Sequence, residues 1–199
     1  MKTHHLLNLS RAGLFGALVL TLAAGCRREP NPQVADMPAA TSSPRDTEAA
    51  SAMATLEPTQ GNQVRGTVRF TSEGGGVRVV ANLTGLTPGD HGFHVHENGD
   101  CSAPDASSAA GHFNPTNQPH AGRDAEERHI GDLGNLVADA DGRAQLDYVD
   151  RKLTLTGANS IVGKAVIVHA GRDDLKSQPS GDAGGRVACG KIELSRRDP

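Results

Sequence analysis

QVRGTVRF, residues 63–70, places apolar or small residues at its even-numbered positions and polar residues at its odd-numbered ones. This alternation is the period of a strand that buries one face. A glycine-rich turn follows at residues 73–76, and the alternation resumes over residues 77–83. The segment therefore predicts two consecutive strands of a half-buried sheet.

The rest of the chain continues in short strands separated by turns. Only 3% of the 199 residues are aromatic, none is tryptophan and 24 are glycine, which favours a β-rich, turn-rich domain over a helical bundle. The pattern predicts an all-β fold, an eight-stranded antiparallel barrel or sandwich. Its six remaining candidate strands are residues 92–96, 134–138, 144–148, 152–155, 165–169 and 191–194.

The first 25 residues are typical of an export signal and not of the domain. Lys2 and Arg11 are followed by an apolar run at residues 12–24, too short to span a bilayer, which requires about 20 helical residues. The join LAAGC, residues 22–26, resembles the lipobox of bacterial lipoproteins, in which the cysteine is lipidated. We expect a protein exported to the periplasmic side of the cell envelope and anchored through Cys26, with the outer membrane favoured by Arg27.

Three regions follow from these patterns. Residues 1–25 are predicted to be a lipoprotein-type signal peptide, residues 26–58 a flexible tether rich in Pro, Ala and Ser, and residues 59–199 the folded domain. If Cys26 is lipidated, Cys101 and Cys189 remain and can form one disulfide in an oxidising compartment.

Charge and motifs exclude several classes of function. The net charge is −3 with neutral histidines, and no basic stripe with interleaved aromatic residues occurs, which argues against a nucleic-acid partner. The sequence also contains no G-x-S-x-G nucleophile elbow, P-loop or C-x-x-C motif.

Histidines dominate the remaining chemistry. His94 and His96 flank a valine, and on a strand they point to the same face about 6.6 Å apart, close enough to share one ion. Residues 97–128 form a long segment without a clear strand, and loops of this length are usually functional or disordered. Six histidines occur in settings typical of metal ligands: His94, His96, His112, His120, His129 and His169.

The ligand types point to two kinds of metal site. Three imidazoles with one carboxylate make a closed tetrahedral zinc set, and the nearby pair His129 and Asp132 suits it. A set made only of imidazoles suits Cu(II). The residue count alone leaves open how six histidines are divided between the two.

Five motifs occur in order along the chain: GFHVHE (92–97), GHFNP (111–115), EERHIGDLGN (126–135), VIVHAGRDDL (166–175) and GGRVACG (184–190). Together they resemble the motifs of copper/zinc superoxide dismutases. The resemblance covers residues 63–194 and implies a Greek-key barrel that carries a long metal-binding loop. It implies one copper and one zinc per chain, superoxide as substrate, and O2 and hydrogen peroxide as products.

The resemblance also implies individual roles. Copper would be held by His94, His96, His112 and His169, and zinc by His112, His120, His129 and Asp132. His112 would bridge the metals and supply a proton, and Arg186 would attract the anion. Asp173 would link the two ligand sets, Cys101 and Cys189 would form the disulfide, and His91 would brace the barrel.

Three questions remain open at this level. Arg172 and Lys176 could extend a positive funnel or could be solvated loop charges. The segment 173–186 is shorter than in eukaryotic members, so neither a monomer nor a homodimer is favoured. The alternative function is non-catalytic copper or zinc storage in the envelope. A further alternative, a sandwich in which zinc has only a structural role, does not explain the set made only of histidines.

Overall fold

The computed structural model describes residues 50–195, and the predicted signal peptide, Cys26 and most of the predicted tether lie outside them. Eight antiparallel strands close into one barrel in the order β1-β2-β3-β6-β5-β4-β7-β8. Their bounds are β1 Ser51–Pro58, β2 Arg65–Glu73, β3 Gly76–Thr84, β4 Gly89–His96, β5 Asp132–Ala138, β6 Ala144–Asp150, β7 Ala165–His169 and β8 Arg186–Leu194.

The predicted all-β, eight-stranded antiparallel fold is confirmed. The strand order places β6 beside β3 and β7 beside β4, the crossover arrangement of a Greek key. A single 3₁₀ turn, Ser107–Ala109, is the only helical segment within residues 50–195. No helix in that range is long and apolar enough to cross a membrane.

The barrel interior is filled by the inward residues of the alternating strands. Val68 and Phe70 of the opening segment are fully buried, as are Val79 on β3 and Phe93 on β4. Burying such side chains contributes roughly 1.5–3 kcal/mol each, the main favourable contribution to folding. This core fixes β4 between β5 and β7, so that the residues at its end have a rigid support.

Two strand predictions were wrong. Ser51–Pro58 was assigned to the tether but forms β1, which pairs with β2 and β8. Its inward residues include two alanines, so the alternation of hydrophobicity is faint. Residues 152–155 were predicted to be a strand but form a loop, in which Leu153 and Leu155 are buried against the core without ladder pairing.

The long loop predicted from residues 97–128 spans residues 97–131, between β4 and β5. It returns to the barrel at His112, which forms an isolated bridge with His96 at the end of β4. β5 and β6 share a single paired position, Ala138 with Ala144, so their ladder is sparse. The loop therefore contacts the end of β4, and through Arg128 it also contacts Asp150, the last residue of β6.

Candidate metal centre

Rigid strands and the long loop bring all the predicted ligands together. His94 and His96 stand at the end of β4, His169 ends β7 and Asp132 begins β5. The loop supplies the remaining histidines. All the ligands are buried except His112, which is of intermediate exposure.

The side chains fall into two groups of four that share His112. In each group, one potential ligand atom per residue lies within 4.8 Å of every other. We call the first the four-histidine set (His94, His96, His112 and His169) and the second the histidine–aspartate set (His112, His120, His129 and Asp132). These are the groupings that the sequence motifs predict.

In the four-histidine set, one nitrogen of each strand histidine is anchored and the other is left for an ion. His96 donates through Nδ1 to the carbonyl of Ala110 at 2.8 Å, and His169 donates through Nδ1 to the carbonyl of Gly184 at 3.0 Å. The two Nε2 atoms face each other at 3.4 Å. The anchoring bonds select which nitrogen is free to accept a metal.

The histidine–aspartate set converges on one carboxylate oxygen. Oδ1 of Asp132 lies 2.9 Å from Nδ1 of His112, 3.0 Å from Nδ1 of His120 and 3.2 Å from Nδ1 of His129. Tetrahedral zinc with bonds of about 2.0–2.1 Å separates its ligand atoms by roughly 3.3–3.4 Å. The donor atoms thus have nearly the spacing that tetrahedral zinc requires.

His112 offers a different nitrogen to each set. Its Nδ1 faces Asp132, whereas its Nε2 is buried without a hydrogen-bond partner in the described structure. The ring centroid lies 3.9 Å from that of His94. One imidazole therefore spans the boundary between the two sets.

Several buried atoms of the two sets make no hydrogen bond. Among residues 50–195, five buried side-chain atoms have no hydrogen-bond partner, and three of them are Nδ1 of His94, Nε2 of His112 and Nδ1 of His120, the last of which lies near Oδ1 of Asp132 without the geometry of a hydrogen bond. Leaving buried polar atoms unpaired is costly. All three belong to the two sets, so the donor arrangement fits bound cations.

Electrostatics agree with cation binding. Burial lowers the pKa of His94 to about 3, of His96 to about 2 and of His169 to about 4, so the strand histidines are neutral, the form that binds metals. Burial alone would raise the pKa of Asp132, but the close contacts of three histidine rings with its carboxylate together hold it far below its ordinary value. Burial likewise opposes charge on His120, yet its contact with Asp132 and its hydrogen bond to Asp173 raise its pKa to about 9. The histidine–aspartate set therefore favours positive charge.

Asp173 joins the two sets directly. Its Oδ2 lies 2.7 Å from Nε2 of His94, and its Oδ1 lies 2.9 Å from Nε2 of His120. Asn135 on β5 fixes its backbone, donating to its carbonyl at 2.9 Å and accepting from its N–H at 2.8 Å. One positioned carboxylate thus binds Nε2 of both rings, which leaves Nδ1 of each as the nitrogen that could bind a cation.

The space around this carboxylate depends on a glycine. Gly181 has φ +71°, and a Cβ built on it would overlap Oδ1 of Asp173 and lie 2.6 Å from Nε2 of His120. We expect Gly181→Ala to displace Asp173 and to reduce metal affinity by roughly 10- to 100-fold, the usual cost of losing a ligand-orienting partner. Metal titration of the purified protein measures this loss.

Gly157→Ala is the matched control for that substitution. Gly157 lies in the loop between β6 and β7 with φ +79°, and a Cβ there would meet no described atom within 4 Å. Both variants carry the strain of a left-handed alanine, and only Gly181→Ala crowds Asp173. Equal metal affinity in the two variants would contradict the crowding argument.

Arg186 reaches from β8 to the long loop. Its Nη1 donates to the carbonyl of Ala106 at 2.5 Å and its Nη2 to the carbonyl of Ala110 at 2.6 Å. The carbonyl of Ala110 also accepts from Nδ1 of His96. One backbone oxygen therefore binds both the arginine and a histidine of the four-histidine set, and so fixes the position of each relative to the other.

The predicted disulfide is present and holds this part of the loop. Cys101 and Cys189 are bonded, which ties the loop to β8, three positions from Arg186. Cys189 packs with Ala106, Ala109, Ala165 and Ile167 in a small buried cluster. The cysteines are not part of either ligand set.

The other predicted residues lie outside both sets. The two ring nitrogens of His91 contact the backbone carbonyls of His169 and Thr87, each at 2.8 Å, so His91 joins two elements of the barrel. Arg172 pairs with Asp90 at 3.3 Å, which offsets its charge, and Lys176 is exposed.

Gln178 is a supporting residue that was not predicted. The amide of Gln178 accepts from the N–H of His120 at 2.8 Å and donates to its carbonyl at 2.9 Å, so it holds that ligand's backbone from both sides. A glutamine before a proline in a polar loop carries no signal for such a contact. Only the return of this loop over residue 120 creates it.

Comparison with known proteins gives concordant matches. A family model described as copper/zinc superoxide dismutase matches residues 64–192. The extracellular superoxide dismutase (Cu-Zn) of Brugia pahangi is 44% identical over 158 residues, which are 75% of this chain and 78% of that protein. A crystal structure of a clock protein named EA4 matches with a TM-score of 0.68 at 40% identity, covering 75% of this chain and 97% of that one.

Proposed function

Because this chain belongs to the copper/zinc superoxide dismutase family, we propose that it converts superoxide to O2 and hydrogen peroxide in the cell envelope, at a copper–zinc centre bridged by His112. The family membership and the two ligand sets identify the protein as a superoxide dismutase with one copper and one zinc per chain. The cellular location and the role of each residue are proposals.

The ligand assignment follows the two sets. Copper would be held by the four-histidine set and zinc by the histidine–aspartate set, since imidazoles alone suit Cu(II) and a mixed tetrahedral set suits zinc. The observation that carries the proposal is the geometry of His112. Its Nδ1 faces Asp132, and its buried Nε2 has no hydrogen-bond partner among residues 50–195.

The protein supplies proton and anion binding to this reaction. When bound, copper supplies the one-electron redox chemistry that interconverts superoxide, O2 and peroxide. Nε2 of His112 is the atom at which a proton can be held and released toward the substrate. Arg186 uses two of its N–H groups on the loop carbonyls, which leaves the others to attract the anion.

The alternative is a storage protein that binds copper or zinc without turnover. Storage requires the ligands but neither a shared His112 nor a positioned Arg186, and both are present. Superoxide consumption and metal content of the purified full-length protein decide between them. We expect turnover with one copper and one zinc per chain, whereas full metal loading without turnover would establish storage.

The envelope location rests on the sequence before the barrel. The apolar run and LAAGC motif favour a lipid anchor at Cys26, followed by a tether that β1 shortens to residues 26–50. The disulfide fits an exported protein, and the Brugia pahangi relative is named an extracellular enzyme. We propose the periplasmic side of the outer membrane as its place.

Cys26→Ser tests the anchor. We expect the variant to appear in the soluble fraction of cells while the unchanged protein sediments with membranes, because only a lipidated cysteine supplies a hydrophobic anchor. Arg27→Ser, next to the modified position, is the matched control and should still sediment. Membrane association of Cys26→Ser equal to that of the unchanged protein would refute lipid anchoring.

A further inference from the structure

Arg128 is the largest of the fully buried side chains in the described structure. It stands in the long loop directly before His129, and its side chain is 2% exposed. Arginine is almost never buried unless its charge is paired. Its contacts therefore indicate what the burial accomplishes.

The guanidinium group makes contacts on three sides. Nη2 donates to both carboxylate oxygens of Asp150, at 2.8 and 2.7 Å. Nη1 donates to the carbonyls of His129 at 2.9 Å and Ile130 at 3.2 Å, and Nε donates to the carbonyl of Arg123 at 2.8 Å. One side chain thus holds three backbone carbonyls of the loop.

Asp150 supplies the fixed end of this arrangement. It is the last residue of β6, is 3% exposed and accepts the backbone N–H groups of Lys152 at 2.8 Å and Leu153 at 3.2 Å. The barrel therefore fixes the position of Asp150, and Arg128 attaches the loop to that fixed carboxylate. At the other end, the N–H of His129 donates to Oδ2 of Asp132 at 3.1 Å.

We propose that Arg128, held by Asp150, is a positioning residue that sets zinc affinity by fixing His129 and Asp132, an inference that rests on the proposed zinc assignment. The contacts run from a barrel strand through one guanidinium group to the backbone of a zinc ligand. None of them reaches His94, His96 or His169, and only the shared His112, through Asp132, connects them to the four-histidine set, so the pair affects copper affinity less than zinc affinity.

The chemistry of the pair separates positioning from general stabilisation. A buried ion pair is weak evidence for stability, because desolvation offsets its attraction. The planar fork of arginine can bind a carboxylate and several carbonyls at once, whereas lysine presents one compact ammonium group. Arg128→Lys therefore retains the charge opposite Asp150 but loses the simultaneous hold on the loop.

The experiment measures zinc affinity by chelator competition in the full-length protein, together with the visible spectrum of cobalt(II) bound in place of zinc. We expect Arg128→Lys and Arg128→Met to weaken zinc binding by roughly 10- to 100-fold and to change the cobalt spectrum, with nearly unchanged copper affinity when copper is titrated into the zinc-free protein. Arg78→Lys is the matched control, because Arg78 forms an exposed two-bond pair with Asp147 on the same barrel.

Arg128→Met leaves Asp150 buried without its partner and can unfold the domain. The double variant Arg128→Met/Asp150→Asn removes both charges and retains an oxygen for the N–H groups of Lys152 and Leu153. We expect its thermal midpoint to recover while zinc binding stays weak. Recovery of zinc affinity along with stability, or unchanged zinc affinity in Arg128→Lys, would show that the pair is only structural.

The proposed function can fail separately. If the unchanged protein shows no zinc binding that depends on His129, the zinc assignment is wrong and the positioning role is overturned with it. If the unchanged protein binds zinc and consumes superoxide while Arg128→Lys does both equally well, only the positioning role is overturned.

Discussion

Replacing His112 with alanine should reduce superoxide consumption to nearly the uncatalysed level, because one side chain serves both ligand sets. The substitution removes Nδ1 from the set around Asp132 and Nε2 from the four-histidine set, so each metal loses a ligand. It also removes the atom proposed to hold the proton. Stopped-flow measurement of superoxide decay and metal analysis of the same sample are the two readouts.

Thr116→Ala is the control for His112→Ala, since Thr116 is an exposed residue of the same loop and belongs to neither set. It should retain full activity and both metals. His112→Ala should lose activity even when copper is supplied in excess, because added metal restores neither the shared ligand nor the proton. Near-normal turnover under copper excess would rule out the bridging role.

Removing the disulfide should have the largest effect on folding stability. The bond joins positions separated by 88 residues, and the loop-closure entropy of the unfolded chain corresponds to roughly 4–5 kcal/mol at this separation. We expect Cys101→Ser/Cys189→Ser to lose about this free energy of unfolding. Equilibrium denaturation of the metal-free full-length protein measures the loss without a contribution from metal binding.

The same double variant should also lose activity after metals are restored. The disulfide holds the part of the loop whose carbonyls at residues 106 and 110 orient Arg186. Cys26→Ser provides the control, since it removes the remaining cysteine and should leave the denaturation midpoint unchanged. An unfolding free energy of the double variant equal to that of the unchanged protein would show that the bond does not stabilise the fold.

Much of the barrel could be predicted because its strands carry a strong period-two pattern. The segment around Val68 and Phe70 has large inward side chains, and its burial is as expected. β1 was missed because Ala52 and Ala54 give little hydrophobic contrast, although both are fully buried. Residues 152–155 were predicted to be a strand although they form a loop, because the two leucines of this loop that pack against the core alternate with polar residues as they would in a strand.

The ligand groupings could be predicted from motif order, and the supporting contacts could not. The spacing of His94 and His96 indicates a shared ligand role from the sequence. Gln178, and the carbonyl of Ala110 that accepts from both His96 and Arg186, act through contacts between distant segments, which the sequence does not indicate. Arg128 follows two glutamates in the run EER, and nothing in that run indicates that its side chain is buried. Its burial follows only from the position of Asp150 in the folded chain.

The carboxylate of Asp173 makes the two metal equilibria one linked system. It is hydrogen bonded to a histidine of each set, so an ion that orders one histidine also changes the conformational freedom of the other. Linkage requires this influence to be reciprocal: whatever factor zinc adds to copper affinity, copper adds to zinc affinity. The fraction of protein that holds copper then depends on the fraction that holds zinc. When metals are scarce, the degree of loading is therefore set by both sites together.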